Sequence, residues 1–204
     1  MKTGPKYKIC KRLGNSVFEK CQTQKFMLSE ARTLKSSRRR RRKTLSDYGR
    51  QLIEKQKLRY TYGISERQLA NYVKEAVSKK GVSPMEKLFE NLELRLDNVV
   101  YQLGLAHTRG LSRQMTSHGH ILINGRKMTI PSHRLSKDDT IGIREGSKNK
   151  VLFTTIDERL AEHKAPAWLS FDNKKMTGVV VEKPAYEKSF VAFDMGAVLE
   201  YYSR

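Results

Sequence analysis

The sequence of 204 residues contains no apolar run that approaches the roughly 20 residues needed to cross a bilayer, which excludes a membrane-spanning role. Its first residues, MKTGPKYKICKRLG, lack the apolar stretch and the cleavage site of a secretion signal. Hydrophobic residues make up 38% of the chain, which is enough for a modest core and excludes disorder of the whole chain.

Cysteine is scarce, because only Cys10 and Cys21 occur. A structural zinc site needs four ligands, and no histidine lies near these two cysteines in the sequence. We interpret them as reduced thiols in a reducing compartment, and we expect no metal. A disulfide between them is geometrically possible but disfavoured in a cytosolic basic protein, and a site with two ligands would need a partner chain.

Motifs of common catalytic and nucleotide-binding sites are also missing. The sequence has no Walker-type glycine loop, no GxSxG and no GxGxxG before a helix. The paired carboxylates Asp138 and Asp139 belong to an ordinary turn. Four histidines lie near a predicted hairpin without a metal-binding spacing: His107, His118, His120 and His133. We therefore expect no catalytic residue, no cofactor and no enzymatic activity.

Acidic residues are too few to balance the basic ones. The chain has 41 Lys and Arg against 21 Asp and Glu, a formal net charge of +20. Counted in sections, the net charge is +15 for residues 1–60 (19 basic, 4 acidic), +6 for 61–150 (15 and 9) and −1 for 151–204 (7 and 8). Such an excess favours a polyanionic partner, and nucleic acid is favoured over an anionic membrane.

The pattern of turn and cap residues predicts an α+β fold that begins with a basic arm, residues 1–45. A helical domain follows over 46–94, because Ser46 is a good N-cap and Ser65 with Gln68 forms a capping box. A further capping signal at Ser83-Pro84 opens a helix that can run, with a kink, to Leu103.

The pattern over residues 95–158 predicts an RNA-binding domain of two helices and a small antiparallel sheet. Thr108 can cap a short helix to about His118, and Asn124-Gly125 is a strong signal for a type I′ hairpin. Thr140–Arg144 alternates as a third strand. Residues 159–204 form a C-terminal segment that we expect to pack back on the helical domain. RNA is favoured over DNA because short helices and hairpins suit RNA junctions and minor grooves.

Several motifs resemble the bacterial-type ribosomal protein S-four family over nearly the whole chain. They are LSDYGRQLIEKQKLRYTYGISERQLANYVKEA (45–76), RLDNVVYQLGLAHTR (95–109), SRQMTSHGHILINGRKMTIPS (112–132) and EYYSR (200–204). The second and third are shared with RNA-modifying enzymes that carry the same RNA-binding domain. The first and last are specific to the ribosomal family.

The resemblance implies a structural constituent of the small ribosomal subunit in the cytoplasm or in an organelle. Such a protein would bind the 16S rRNA directly at a multi-helix junction of the 5′ domain and nucleate early assembly of the subunit body. Its neighbours would be ribosomal proteins S-three and S-five beside the mRNA entrance, and it would support translational accuracy. The alternatives are an RNA-modifying enzyme and a stand-alone regulator that represses a messenger RNA.

Basic and histidine residues are the expected contacts with nucleic acid, because guanidinium and ammonium groups bind phosphate. Arg109 and Arg113, four residues apart on one helix, are predicted from their spacing. The expected rRNA contacts are Arg95, Arg109, Arg113, His118, His120, Arg126, Lys127, Arg134, Lys55, Lys57 and Arg59. The run RRRRRK predicts contact with phosphate. By the resemblance, four of its residues would line the mRNA entrance: Arg40, Arg41, Arg42 and Lys43.

The chain departs from the family at two points near its N-terminus. Many members have a PGQHG-like loop where this chain has TLKSSRRRRRK, so contacts of that loop are not carried over. Some members bind zinc with four cysteines. Here Tyr7 occupies one of those positions, and we expect a zinc-free form.

Overall fold

The computed structural model describes residues 3–14, 17–37, 45–148, 150, 153, 156, 160, 163–172, 175–187 and 191–203. The chain forms two compact units, one of Met1–Met85 with Glu187–Arg204 and one of Glu86–Tyr186. The basic run Arg40–Lys43 and most of a helix predicted over 156–163 lie outside the described residues. Among the residues that are described, no helix is long and apolar enough to cross a lipid bilayer.

The start of the first unit is helical, although the sequence predicted an arm without regular structure. Helix α1 (Lys6–Leu13), a 3₁₀ turn (Glu19–Gln22) and helix α2 (Gln24–Ser37) follow one another. Their shared core contains Cys10, Cys21 and Phe26, all fully buried. The prediction of reduced thiols is wrong for this structure, because Cys10 and Cys21 form a disulfide between α1 and the 3₁₀ turn.

Two capped helices continue the first unit. In α3 (Asp47–Thr61) the Ser46 hydroxyl accepts from the Gly49 amide, as predicted. In α4 (Glu66–Ser78) the predicted capping box of Ser65 and Gln68 is confirmed. Each cap satisfies amides that have no partner inside the helix.

The last helix, α9 (Met195–Tyr202), packs on α3 within the first unit. Asp194 caps α9 with its side chain, and its own amide donates to Glu54 Oε2 at 2.9 Å. Gln51 Nε2 donates to Glu200 Oε2 at 3.0 Å. The sequence grouped residues 159–204 as one segment, but the structure divides this stretch, since residues 169–180 belong to the second unit.

Helices α5 (Pro84–Glu93), α6 (Leu96–Gln102) and α7 (Arg109–Ser117) precede the sheet. The predicted long helix is broken at Leu94 and Arg95, because these residues pair with a later loop instead of continuing the helix. Leu135 N donates to Leu94 O, and Leu96 N donates to His133 O, both at 2.9 Å. Apolar side chains of α6, α7 and the sheet form the core of this unit.

The antiparallel sheet contains β1 (Ile121–Ile123), β2 (Arg126–Met128), β3 (Thr140–Ile143), β4 (Leu169–Asp172) and β5 (Thr177–Val180), in the order β2-β1-β3-β5-β4. A short helix, α8 (Glu145–Lys148), follows β3. Asn124 and Gly125 have φ angles of 49° and 77°, which confirms the predicted type I′ hairpin. The α+β class is confirmed, and β4 and β5 extend the sheet beyond the three strands expected near the hairpin.

Candidate nucleic-acid interface

Helix α7 presents two of the predicted arginines. Thr108 caps it by accepting from the Leu111 amide at 3.1 Å. Its buried side faces the core through Met115 and Thr116. Arg109 and Arg113 are four residues apart and therefore lie on the same side of α7. This is not the buried side of the helix, and both residues are partly exposed.

Arg95, by contrast, lies inside the second unit and is only 1% exposed. Its Nε donates to Asp97 Oδ1 at 3.0 Å and its Nη2 to Asp97 Oδ2 at 2.6 Å, a bidentate pair. Arg113 Nη1 lies 3.4 Å from the same Oδ2. RNA contact by Arg95 stays a prediction, and the structure holds this deeply buried guanidinium on its carboxylate.

Asp97 pairs with both Arg95 and Arg113, and its one negative charge neutralises only one of their two positive charges. Two guanidinium groups share one carboxylate, so the three residues keep a formal charge of +1. Asp97 N donates to Pro131 O at 3.0 Å, and the Ser112 hydroxyl donates to Asp97 O. Asp97 is thereby tied both to α7 and to the loop after β2. In that loop, Arg134 is exposed and forms a β-bridge with Arg95.

The hairpin carries two further exposed cations, Arg126 and Lys127, on β2. Lys127 pairs with Leu122 of β1, and its side chain lies directly over Gly119 at the end of α7. A Cβ at this position would collide with Lys127, and Gly119 has a φ of +71°. Glycine is favoured here by the backbone conformation, whereas the flexible end of the Lys127 side chain could move to admit a Cβ.

The two histidines of the motif have different environments. His118 is exposed, but His120 is 7% exposed and its Nδ1 lies 2.9 Å from the Ser147 hydroxyl. RNA contact by His120 stays a prediction, and the structure holds its ring inside the unit. Burial lowers the pKa of His120, and the charges of four neighbours lower it further: Lys150, His118, Arg144 and Lys127.

Arg144 is a basic residue that the sequence analysis missed. It is exposed, and its amide donates to His120 O at 2.8 Å next to the paired strands β1 and β3. The strand pattern could have found it, because the register that pairs Ile121 with Ile143 places Arg144 beside His120. Arg144 therefore joins His118 and Lys127 around the buried imidazole.

The basic residues predicted on α3 are enclosed within the first unit. Lys55 is 5% exposed, its Nζ lies 2.8 Å from Glu66 Oε1, and it stands 4.1 Å from the centre of the Tyr201 ring. RNA contact by Lys55 stays a prediction, and the structure holds its ammonium group against Glu66 and Tyr201. Arg59 Nη1 lies 3.8 Å from Glu66 Oε2. Lys57 Nζ lies 2.6 Å from Glu54 Oε1.

Glu66 is the centre of this group, and its own pKa and that of Tyr202 are shifted. Burial tends to raise the pKa of Glu66, but hydrogen bonds from Lys55 and Tyr202 and the charges of Lys55 and Arg59 together lower it. The Tyr202 hydroxyl donates to Glu66 Oε1 at 2.6 Å. Burial and this carboxylate raise the pKa of Tyr202 strongly. These residues stabilise the packing of α9 on α3.

Exposed and partly exposed basic residues of the second unit lie around two buried places. Arg109, Arg113 and Arg134 surround the segment 95–98. His118, Lys127, Arg144 and Lys150 lie around His120. Arg126 projects next to the hairpin turn. Such an array on a rigid frame can bind the phosphates of a nucleic-acid backbone.

Neither group offers a metal site, as no three His, Cys, Asp or Glu side chains of the described residues come together in a way that could hold an ion. The expectation that the protein binds no metal stays a prediction. The residues Arg40–Lys43, expected at the mRNA entrance, lie outside the described part of the chain.

Comparison with known families gives two matches that together span 141 residues. The profile described as "Ribosomal protein S4/S9 N-terminal domain" matches residues 1–93, and the profile described as "S4 domain" matches residues 94–141. The second match contains Arg109, Arg113, Arg126 and Arg134.

Curated proteins named "Small ribosomal subunit protein uS4" are similar to the chain over almost its whole length. The protein of Acetivibrio thermocellus is 38% identical over 205 residues, covering 99% of this chain and 98% of the relative. That of Roseiflexus castenholzii is 42% identical, covering 98% of both chains. That of Caldicellulosiruptor saccharolyticus is 37% identical over 204 residues, again covering 98% of both.

Proposed function

Since the chain belongs to the family of small ribosomal subunit protein uS4, we propose that it binds 16S rRNA directly through the exposed cations of its second unit. As a member of this family it is a structural protein of the small ribosomal subunit and not an enzyme. Its S4 domain is an RNA-binding domain, so rRNA and the ribosome are its partners.

The observation that carries this proposal is the arrangement of Arg109, Arg113 and Arg134 around one buried segment. Their backbones are fixed by helix α7 and by hydrogen bonds between residues 94–97 and the loop 131–135. Cations on a fixed frame lose little conformational freedom when they bind phosphate, and arginine presents a planar fork to the phosphate oxygens.

We test direct binding with an in vitro transcript of the 16S 5′ domain, titrated with the full chain at several salt concentrations. Neutralisation of about 6–10 phosphates should weaken binding about 10³–10⁵-fold between 50 and 200 mM salt. The protein should also remain with small subunits through a high-salt wash that removes loosely bound factors. Recovery only in the soluble fraction, with no salt-dependent binding to the transcript, would contradict the proposal.

The finer roles are also proposed from the family and not from contacts seen here. Binding at a multi-helix junction would let the protein nucleate early assembly of the subunit body. The C-terminal part, including α9, would contact S-five and support accuracy, and S-three would be a second neighbour. Support for the first role is the fixed cationic frame of the second unit.

We propose that Arg40–Lys43, the last four residues of the basic run 38–43, act on mRNA at its entrance, because six consecutive cations attract a polyanion without demanding one shape. Replacing these four residues with Gln should slow translation of an mRNA with a stable hairpin more than that of an unstructured one. Subunit assembly, followed by sucrose-gradient sedimentation, should change little. Equal slowing of both mRNAs would contradict this role.

A further inference from the structure

The side-chain oxygen of Asn98 is an uncharged hydrogen-bond acceptor for the guanidinium group of Arg109. Its side chain lies in α6 and is 2% exposed. Its Nδ2 donates to the Glu93 carbonyl at 3.1 Å and to Glu93 Oε2 at 2.9 Å. The two amide protons are thus both used, and Oδ1 accepts from Arg109 Nε at 2.9 Å.

The orientation of this amide follows from its neighbours. If it were flipped, its oxygen would face the Glu93 carboxylate and its NH₂ group would face the Arg109 guanidinium, so both contacts would be repulsive. Glu93 Oε2 also accepts from Gln102 Nε2 at 3.3 Å. The carboxylate therefore holds Asn98, and Asn98 holds Arg109.

Arg109 is restrained from a second direction by an aromatic ring. Its guanidinium carbon lies 4.3 Å from the centre of the Tyr101 ring, a cation–π distance. Both restraints come from uncharged groups, an amide oxygen and a phenol ring. They orient the guanidinium and leave its positive charge intact, whereas a carboxylate in the place of Asn98 would neutralise it.

We propose that Asn98, itself fixed by Glu93, is a positioning residue that holds Arg109 in the orientation in which it binds a phosphate of RNA. The inference rests on the proposed rRNA binding and assigns to Asn98 a role that works through Arg109, without contact to the RNA. A buried amide that only stabilised the fold would not need Arg109 to exert its effect on RNA affinity.

A double-mutant cycle on the full chain tests the proposal, with the 16S 5′-domain transcript as the probe. Asn98→Ala should weaken binding about 5- to 10-fold, the effect expected from loss of one typical hydrogen bond. In an Arg109→Gln background the same substitution should cost less than about 2-fold, since the group that it positions is gone. Circular dichroism and a stoichiometric RNA titration give the folded and active fraction of each variant.

Arg126→Gln provides the matched control background, because it removes one arginine that Asn98 does not touch. There the cost of Asn98→Ala should remain the full about 5- to 10-fold. An equal cost of Asn98→Ala in the Arg109→Gln and Arg126→Gln backgrounds would overturn the inference and leave Asn98 with a purely structural role.

Tyr101→Leu serves as a second variant if Asn98→Ala fails to fold, because it removes the ring from Arg109 and keeps an apolar side chain. It should show the same dependence on Arg109 but not on Arg126. Failure of the proposed function is distinguishable from failure of this inference. In the first case the unaltered protein itself shows no salt-dependent affinity for the transcript, whereas in the second it binds and only the coupling is missing.

Discussion

Helices α3 and α7 carry basic residues at similar density, but their surroundings differ. On α3, Lys55 and Arg59 lie beside Glu66, and Lys57 lies beside Glu54. On α7, Arg109 contacts the neutral Asn98, and Arg113 shares Asp97 with the buried Arg95. The first group has three cations and two carboxylates, a formal net charge of +1, whereas Arg95, Arg109 and Arg113 with the one carboxylate of Asp97 have a formal net charge of +2.

The difference shows that a basic residue becomes a candidate RNA contact through its partners and not through its own charge. Lys55 lies among Glu66, Tyr201 and Tyr202, where an ammonium group stabilises packing. A buried ion pair of this kind is costly to break, because the remaining charge has no solvent. Charge on α7 is oriented and exposed, which is the state that phosphate binding requires.

We expect the largest change in RNA affinity when Arg109, Arg113 and Arg126 are replaced together with Gln. Affinity for the 5′-domain transcript should fall about 100-fold or more, and the slope of log affinity against log salt should become shallower by about 2–3. Filter binding across a salt series measures both quantities.

A charge-matched control is the replacement of the exposed Lys74, Lys79 and Lys80 of the first unit with Gln. This variant should lose less than about 5-fold in affinity, since only long-range attraction is reduced. Equal losses in the two variants would mean that net charge, and not the oriented arginines, decides binding.

A second test is Glu66→Gln, which leaves the buried Lys55 without a carboxylate. The free energy of unfolding should fall by about 1–3 kcal/mol, with part of the pair's energy already lost to solvent because the Glu66 side chain is 43% exposed. Urea denaturation measures this loss. RNA affinity of the folded protein should stay the same, and a clear gain in affinity would instead show that Lys55 and Arg59 become RNA contacts when released.

Lowering the pH should reduce the free energy of unfolding, because His120 binds a proton less readily in the folded chain. Because its folded pKa lies below the ordinary value of about 6.5, the unfolded chain binds the proton more readily than the folded one. The stabilisation is complete above about pH 6.5 and falls as the pH drops below it, by at most about 1.4 kcal/mol per pH unit. Urea titrations at pH 5–8 should show this loss, and His120→Gln should remove it.

His107→Gln is the matched control, because His107 is exposed and is not among the charged neighbours of His120. The loss of stability in acid should persist in this variant. A His120→Gln protein that keeps the whole acid-dependent loss would show that another group is responsible.

The smallest expected effect separates two lysines. Lys127→Gln should weaken RNA binding about 3-fold and reduce the salt slope by about 1, because its side chain is exposed on β2. Lys57→Gln should change affinity by less than about 2-fold, since its ammonium group is held by Glu54 and its side chain is only 23% exposed. Equal effects of the two substitutions would mean that exposure and pairing with a carboxylate do not decide which lysine contacts RNA.

Local signals in the sequence predicted much of the fold. The caps at Ser46, Ser65 and Thr108 and the Asn124-Gly125 turn involve residues a few positions apart, so the sequence alone contains both partners. The motifs also predicted the family. The helices α1 and α2 were missed because their small core depends on the disulfide and on Phe26, contacts between elements rather than within one.

Long-range contacts decided which of the predicted residues are buried. Arg95 lies two residues from Asp97, yet its burial depends on pairing with the loop that carries Arg134. Lys55 is enclosed by the C-terminal tyrosines, and Tyr202 bonds Glu66 across a separation of 136 residues. No pattern in a local window contains such partners.

The sequence by itself determined the family, the α+β class, the cationic character and the turns and caps that begin and end the elements near Arg109. Only the tertiary structure decided which cations are exposed, that Asp97 is shared by two arginines, and that β4 and β5 complete the sheet. The physical reason is that propensity and net charge are properties of single residues and their close neighbours. Burial and charge compensation depend on side chains that folding brings together from distant parts of the chain.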